Sequence, residues 1–380
     1  MNKNRCFDHV LSADYYDAEE ALEAVQQYER DTGMRPSAVV PILEMNVHVS
    51  VEIARKYGLA SVSDACLSTA RDKHNMKEAF ESAGVPCARH RPYSTLTELR
   101  KVARELRFPL VLKPRDFAGN VGTVKVDSEK ELDAAFEYCR EGLLDIAPIY
   151  KFKDGRFQAE EFVESTHEVS VEVLNHGEQR AVIAVTDKAK LPPPYFTEFG
   201  QLVPSRETYN QTIRELSIAA CEALDIRRGL AHVEILVNDS ELNVVEVAAR
   251  PGGDGIMDLV SRVYGFNPYD LHYGSYLNNF HQIPELPSTP LGVGATVFLK
   301  ADVGRVEQVN DVENPTDDEV ALYPVLKEGA ESRPATSYQS RDGVMEFFRP
   351  GAGTEDAVDF QREVLTIAAQ RSQEVFTVTS

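Results

Sequence analysis

The chain has 380 residues and carries 61 acidic against 40 basic side chains, a formal net charge of −21. That balance argues against general affinity for nucleic acid or an anionic membrane surface, so an anionic ligand needs a local basic site working against the global field. Hydrophobic (43%) and charged (27%) fractions are those of a globular chain long enough for two or three packed units, and no apolar run reaches the ~18 residues of a membrane-spanning helix.

The start, Met1 to Arg5, leads into no apolar run, so no signal peptide is expected. Cys6, Cys66, Cys87, Cys139 and Cys221 lack CxxC or zinc spacing and read as buried, reduced thiols. Asp17 can cap a helix through about Tyr28, since Ala21, Leu22, Val25 and Tyr28 fall at helical spacing and Gly33 follows. Residues 37–42 (SAVVPI) predict a short buried strand, and 49–57 a helix ending at Gly58. This rhythm suits part of a doubly wound α/β unit. A helix over 73–83 ends at Gly84, with Pro86 beyond it.

Residues 109–113 (PLVLK) predict a strand, 115–122 a glycine-containing loop, 121–126 a returning strand, and 128–141 a helix capped by Ser128. Further strands are expected at 157–163, 169–174 and 180–186. The segment 190–204, with four prolines and three aromatics, predicts a long ordered loop. An amphipathic helix over 206–224 precedes strands at 231–237 and 242–247. A linker over 284–290 enters a last β-rich section with a helix near 355–370.

The most informative stretch runs from His232 to Asp254. A hairpin turning about Ser240 sets Glu234 directly opposite Glu246, while Val233, Ile235, Val245 and Val247 point to the other face, into a core. Like charges so paired are destabilising and need a cation or a shared proton. Hard oxygen ligands suggest Mg²⁺, which takes one or two carboxylates and completes its shell with substrate phosphates. On a solvated face the two would be ordinary glutamates. Arg250, followed by Pro251-Gly252-Gly253, can clamp a phosphoryl oxygen, and the glycines allow close approach or open a helix toward an anion. Taken alone, a surface arginine before a turn is the simpler account. Lys113 ends an apolar strand and must reach an anion or snorkel outward. The 115–122 loop lacks the GK[ST] ending of a P-loop, and Lys73 by itself is an ordinary helix charge.

The ordered set RDK (71–73), PLVLKP (109–114), EEFV (160–163), Glu168, HVE (232–234) and EVAARPGG (246–253) resembles the ATP-grasp superfamily. Within it, the chain is similar to carboxylate–amine ligases of the L-amino-acid ligase (dipeptide synthase) type, from about residue 10 to beyond 340. The resemblance implies an ATP-grasp fold of α/β and α+β character. A shortened N-terminal α/β domain (1–88) would be followed by a central lid subdomain (89–165) and a C-terminal catalytic domain (166–380). It implies ATP and Mg²⁺, with Mn²⁺ a possible substitute. Lys73 and Lys113 would contact phosphates under a loop around Gly119 and Gly122. Glu160 and the backbone of Phe162 and Val163 would meet adenine, and Glu168 the ribose, although one extra residue separates these acidic positions compared with the usual pattern. Lys188 matches a frequent lysine of these ligases. Glu234 and Glu246 would hold Mg²⁺, and Arg250 would stabilise the acyl phosphate and the tetrahedral state after it.

His232 could orient the metal site, touch the acyl-donor amino acid, assist amine deprotonation, or be structural. Asp254, beside Gly252 and Gly253, could bind a substrate ammonium or cap a helix. Ala248 stands where many relatives carry Asn, which points toward amino-acid ligases. A first strand, helix and strand are missing from the N-terminal unit, so a truncated chain and a reduced domain are both open. The expected partners are small molecules, an acid and an amine, in a cytoplasmic homodimer without nucleic acid or membrane. The alternatives are an ATP-grasp ligase or carboxylase acting on another substrate pair, and a nucleotide-binding regulatory protein that turns nothing over.

Overall fold

A computed structural model describes all residues except 1–6, 15, 118, 151–154, 239–240, 313–317 and 380, and no side chains at 145–150 or 319. Cys6 and the hairpin centre Ser240 therefore lie outside the described residues. Helices α1 (Ala18–Thr32), α2 (Val47–Tyr57), α3 (Asp64–Thr69) and α4 (Lys73–Ala83) come first. The Asp17 carboxylate accepts the N–H groups of Glu19 and Glu20, and Asp72 does the same for His74 and Asn75. These are orphan donors that a helix start must satisfy. The strand expected over 37–42 does not form. A six-residue run needs a neighbouring strand, and the described chain has none before residue 90. Val39 instead packs beside Ala21, Val49 and Ile53, and the Pro41 carbonyl accepts a bond from His272 Nε2 at 2.8 Å.

Four antiparallel strands follow, β1 (His90–Tyr93), β2 (Leu110–Pro114), β3 (Val124–Val126) and β4 (Phe157–Glu161), in the order β1-β4-β2-β3. Helices α5 (Leu96–Leu106) and α6 (Leu132–Tyr150) share a core with them that includes Leu99, Leu110, Leu112, Leu132 and Phe157. Thr95 and Glu98 start α5 with a reciprocal capping box. Ser128 does not cap the next helix; its hydroxyl donates to Glu131, and a 3₁₀ turn at Glu129–Glu131 leads into α6.

The largest sheet has eight strands. In chain order these are β5 (His167–His176), β6 (Gln179–Lys190), β7 (Glu198–Val203), β8 (Arg228–Val237), β9 (Leu242–Ala248), β10 (Gly292–Leu299), β12 (Glu319–Pro324) and β14 (Gly343–Pro350). They lie in the order β12-β14-β10-β7-β6-β5-β8-β9. A small sheet joins β11 (Gly304–Val309), β13 (Glu331–Ser332) and β15 (Phe376–Thr379). Val169, Val171 and Val173 of β5 pack with Val233 and Ile235 of β8 against α4 and α7 (Gln211–Ala223). The intervening Glu168, Ser170 and Glu172 point to the opposite face because strand side chains alternate. Helices α8 (Ile256–Tyr264) and α9 (Pro268–Gly274) add a further core, and α10 (Ala357–Val375) packs on β10.

Three expectations change here. Residues 198–203 are strand, not loop: β7 pairs with β6 and β10, and the prolines at 193, 194 and 204 bound it without entering it. Helix α7 starts at Gln211, where the Asn210 side chain accepts from Thr212 and Ile213. Cys66, Cys139 and Cys221 are buried free thiols, but Cys87 is half-buried. Among the described residues, no helix is long and apolar enough to cross a membrane.

Candidate active site

The β8–β9 pairing sets Glu234 opposite Glu246, with Val233 opposite Val247. Immediately after Glu234 the register shifts by one residue, so Ile235 meets Val244. This bulge corrects one expectation. Val244, 1% exposed, takes the core position expected of Val245, and Val245 turns into the cleft.

Glu234 does not stand with Glu246 alone. Ligand oxygens of Glu168, Glu198 and Glu234 lie within 4.8 Å of one another, with the Lys188 ammonium among them, 2.8 Å from Glu198 and 3.4 Å from Glu168 and hydrogen-bonded to Glu234. Burial alone would push the Lys188 pKa down, but Glu198, Glu234 and Glu168 together raise it well above the usual lysine value. Burial likewise favours a protonated Glu234, and Lys188 and His232 overcome it, holding the carboxyl well below its usual range. Glu246 pairs with Lys73 at 3.2 Å, and Lys73 also donates to the Phe117 carbonyl. Carboxylate oxygens gathered around one ammonium are the hard donor set that suits Mg²⁺.

A second group of charges lies where β2 and β4 meet α4. Glu160 accepts from Lys113 at 2.9 Å and lies 3.6 Å from Lys77. Burial would raise its pKa, but the two ammonium groups pull the carboxyl down to about 2. Lys113 moves the other way: burial outweighs Glu160 and lowers its pKa. These residues open onto a cavity of about 570 Å³ lined also by Phe162, Val163, Glu168, Lys188 and Phe196. The Phe162 and Phe196 rings stack at 6.1 Å. Phe162 donates its own N–H to the Pro109 carbonyl, whereas the Val163 N–H has no backbone partner among the described residues. A constriction lined by Lys73, Lys113, Gly119, Asn120, Glu198, Glu234 and Glu246 follows.

Beyond it, a cavity of about 460 Å³ is lined by Glu44, His232, Arg250, Gly253, Asp254, Tyr338 and Arg341, among others. Arg250 Nε lies 3.2 Å from Glu44, and its Nη1 donates to the Pro251 carbonyl at 2.7 Å. His232 Nδ1 meets Glu172 Oε1, while Glu172 Oε2 accepts the Gly252 N–H at 3.0 Å. Burial would depress the imidazole, but Glu172 and Glu234 lift its pKa to about 9. The Gly252 N–H is therefore committed to Glu172 and does not open a helix toward an anion. A Cβ there would lie 2.5 Å from Glu172 Oε1 and 2.9 Å from His232 Nδ1. Asp254 does not cap α8, whose N-cap is Gly255; it accepts from Arg341 at 2.8 Å and from Gln201 at 3.4 Å.

Residues 106–258 match the family model described as an ATP-grasp domain. The chain carries an ATP-grasp domain. It is 26% identical over 259 residues to the alanine–anticapsin ligase of Bacillus subtilis, covering 64% of this chain and 54% of that protein. The chain thus spans about half the length of the alanine–anticapsin ligases it matches. It is also 26% identical over 326 residues to the formate-dependent phosphoribosylglycinamide formyltransferase of Stutzerimonas stutzeri strain A1501, covering 85% of this chain and 77% of that protein. Among solved structures, the L-amino acid ligase from Bacillus licheniformis superposes with TM-score 0.77 at 21% identity, covering 96% of this chain and 85% of that one. N5-carboxyaminoimidazole synthase from Aspergillus clavatus, in complex with ADP, superposes with TM-score 0.67 at 18% identity, covering 96% and 88%. The ATP-grasp fold is common to these.

Every site residue singled out in the sequence lies along this ATP-grasp cleft except Gly122. Gly122 adopts φ +67° at the foot of the loop, and a Cβ there would meet the Cys139 carbonyl at 3.1 Å. Gly119, at φ +71°, lies against the Tyr338 ring, where a Cβ would come within 2.3 Å. Sequence reasoning missed Glu198, Lys77, Glu172, Tyr338 and Arg341. Glu198 was hidden inside a segment expected to be loop. Lys77 carried a legible signal, one helical turn after Lys73 on the same face.

Proposed function

We propose that the chain is an ADP-forming carboxylate–amine ligase. It would join the carboxylate of an amino acid to an amine, that of a second amino acid, through an acyl phosphate. One observation carries the reading: two cavities, one edged by Lys77, Lys113 and Glu160 and the other by Arg250, His232 and Asp254, meet at a constriction lined by Lys73, Glu234 and Glu246. A nucleotide in the first would direct its terminal phosphate at an acid in the second. The residues fit Mg²⁺: Glu234 and Glu246, with Glu198 beside Glu234, would hold it, and the ion would supply charge neutralisation on phosphate oxygens.

The chain's own residues do the rest. Lys73 and Lys113 bind and orient phosphates, Phe162, Val163 and Glu160 seat the base, and Glu168 the ribose. The glycine loop shields the transfer from water. Arg250, held by Glu44, faces the charge that develops as the acid attacks the γ-phosphorus and as the amine attacks the activated carbonyl. Positioning and electrostatics thus carry the chemistry, without a nucleophilic side chain. His232, fixed by Glu172, is a positioning group beside Glu234.

The three-part division at 88 and 165, a homodimer and a cytoplasmic location belong to the same proposal and rest on the resemblance. The longer match to the formyltransferase supports a second reading, the same chemistry on a non-amino-acid pair. A phosphate-release screen over pairs of common amino acids, with mass spectrometry of the products, tests the proposal. A product equal to two amino acids less one water is expected. ATP turnover that no amino-acid pair stimulates refutes it.

A further inference from the structure

Away from the cleft, His74 and Glu78 sit one turn apart on α4 and face His90 at the start of β1. One ligand atom from each lies within 4.8 Å of the other two. His90 Nε2 is 3.3 Å from Glu78 Oε1, and its Nδ1 is 3.5 Å from Glu81 Oε1. His90 is 0% exposed, yet neither ring nitrogen completes a hydrogen bond. A buried imidazole flanked by two carboxylates and bonded to neither is unusual, because buried polar groups are nearly always paired.

We propose that His74, Glu78 and His90 form a zinc site that clips helix α4 to strand β1. Tetrahedral zinc with bonds of ~2.0–2.1 Å sets its ligands ~3.3 Å apart. The His90–Glu78 separation of 3.3 Å is already one edge of that tetrahedron. Glu81 stands behind His90 as the carboxylate that orients a ligating ring. Two imidazoles and one carboxylate favour zinc over magnesium, which prefers oxygen alone. Burial, reinforced by Arg115 at His74 and by Lys77 at His90, lowers both imidazole pKa values and keeps the rings in the neutral form that ligates. The Glu78 side chain is 57% exposed, which leaves the fourth position open to water.

The site has a structural reach. Helix α4 carries Lys73 and Lys77, and His90 pairs across the sheet with Glu160. Zinc would therefore fix the helix bearing two cleft lysines against the strands that carry Glu160, the carboxylate partner of Lys77.

The test is a zinc titration of the chelator-stripped full-length protein against a chromophoric zinc indicator, with excess Mg²⁺ present to occupy carboxylate-only sites. One Zn²⁺ per chain is expected, together with a higher thermal midpoint. His74→Gln and Glu78→Gln, neither fully buried, should each weaken binding at least tenfold and abolish the midpoint shift, with circular dichroism unchanged. No zinc retained under excess Mg²⁺, or binding by both variants equal to the parent, overturns the proposal.

Discussion

Glu160→Gln isolates the buried charge group beneath the larger cavity. The substitution keeps the shape and removes the charge that faces Lys113 at 2.9 Å and Lys77 at 3.6 Å. Lowering the carboxyl from its ordinary 4.5 to about 2 corresponds to ~3 kcal/mol at ~1.36 kcal/mol for each pH unit. The two partners disagree, because Lys113 is lowered rather than raised. Its ammonium recovers less than its burial costs, so the Glu160 figure is an upper bound. A net loss of ~1–3 kcal/mol follows, or roughly 1–4 °C in thermal midpoint for a chain of this size. The pH dependence has a fixed sign. A depressed carboxyl stabilises the fold above its ordinary pKa and loses that contribution as pH falls toward the folded value. The gap between parent and variant should therefore be constant from about pH 7 to about pH 5 and shrink below. Thermal melts followed by circular dichroism across that range check it. Equal midpoints at about pH 7, or a gap that widens on acidification, would refute the reasoning.

Gly252→Ala drives a methyl into Glu172 and His232; it should cut phosphate release at least ~10-fold with nucleotide affinity kept, by the cost of misplaced groups, as steady-state kinetics beside nucleotide titration will show. Glu246→Ala and Arg250→Ala should each abolish amino-acid-dependent phosphate release with the fold intact by circular dichroism, and parent-like turnover in either removes the mechanism. Mg²⁺ with ATP should protect the 115–122 loop in limited proteolysis, and a cleavage rate indifferent to nucleotide counts against its role as a lid.

The opposition of Glu234 and Glu246 was legible because hairpin register and strand alternation follow from simple counting. Val245 was misassigned because a bulge adds one residue that no alternation reveals. Glu172 was within reach: the EVSVEV run of β5 alternates valine with polar residues, so Glu172 shares its face with Glu168. Glu198 was not, since prolines on both sides of a six-residue strand give a loop's composition. The run at 37–42 had a strand's sequence but no partner to pair with. The contacts of Tyr338 and Arg341 join positions more than eighty residues apart, and nothing local in the sequence announces such long-range meetings.

The eight-stranded sheet carries valines on one side and polar side chains on the other along β5 and β8. Inserting or deleting a single residue inside either strand would exchange those sides, driving glutamates into the hydrocarbon layer and valines into the cleft. Length variation should thus be confined to the hairpin ends, and the extra residue of β9, Val245, is accommodated because Glu234 still faces Glu246 on one side of it and Ile235 still faces Val244 on the other.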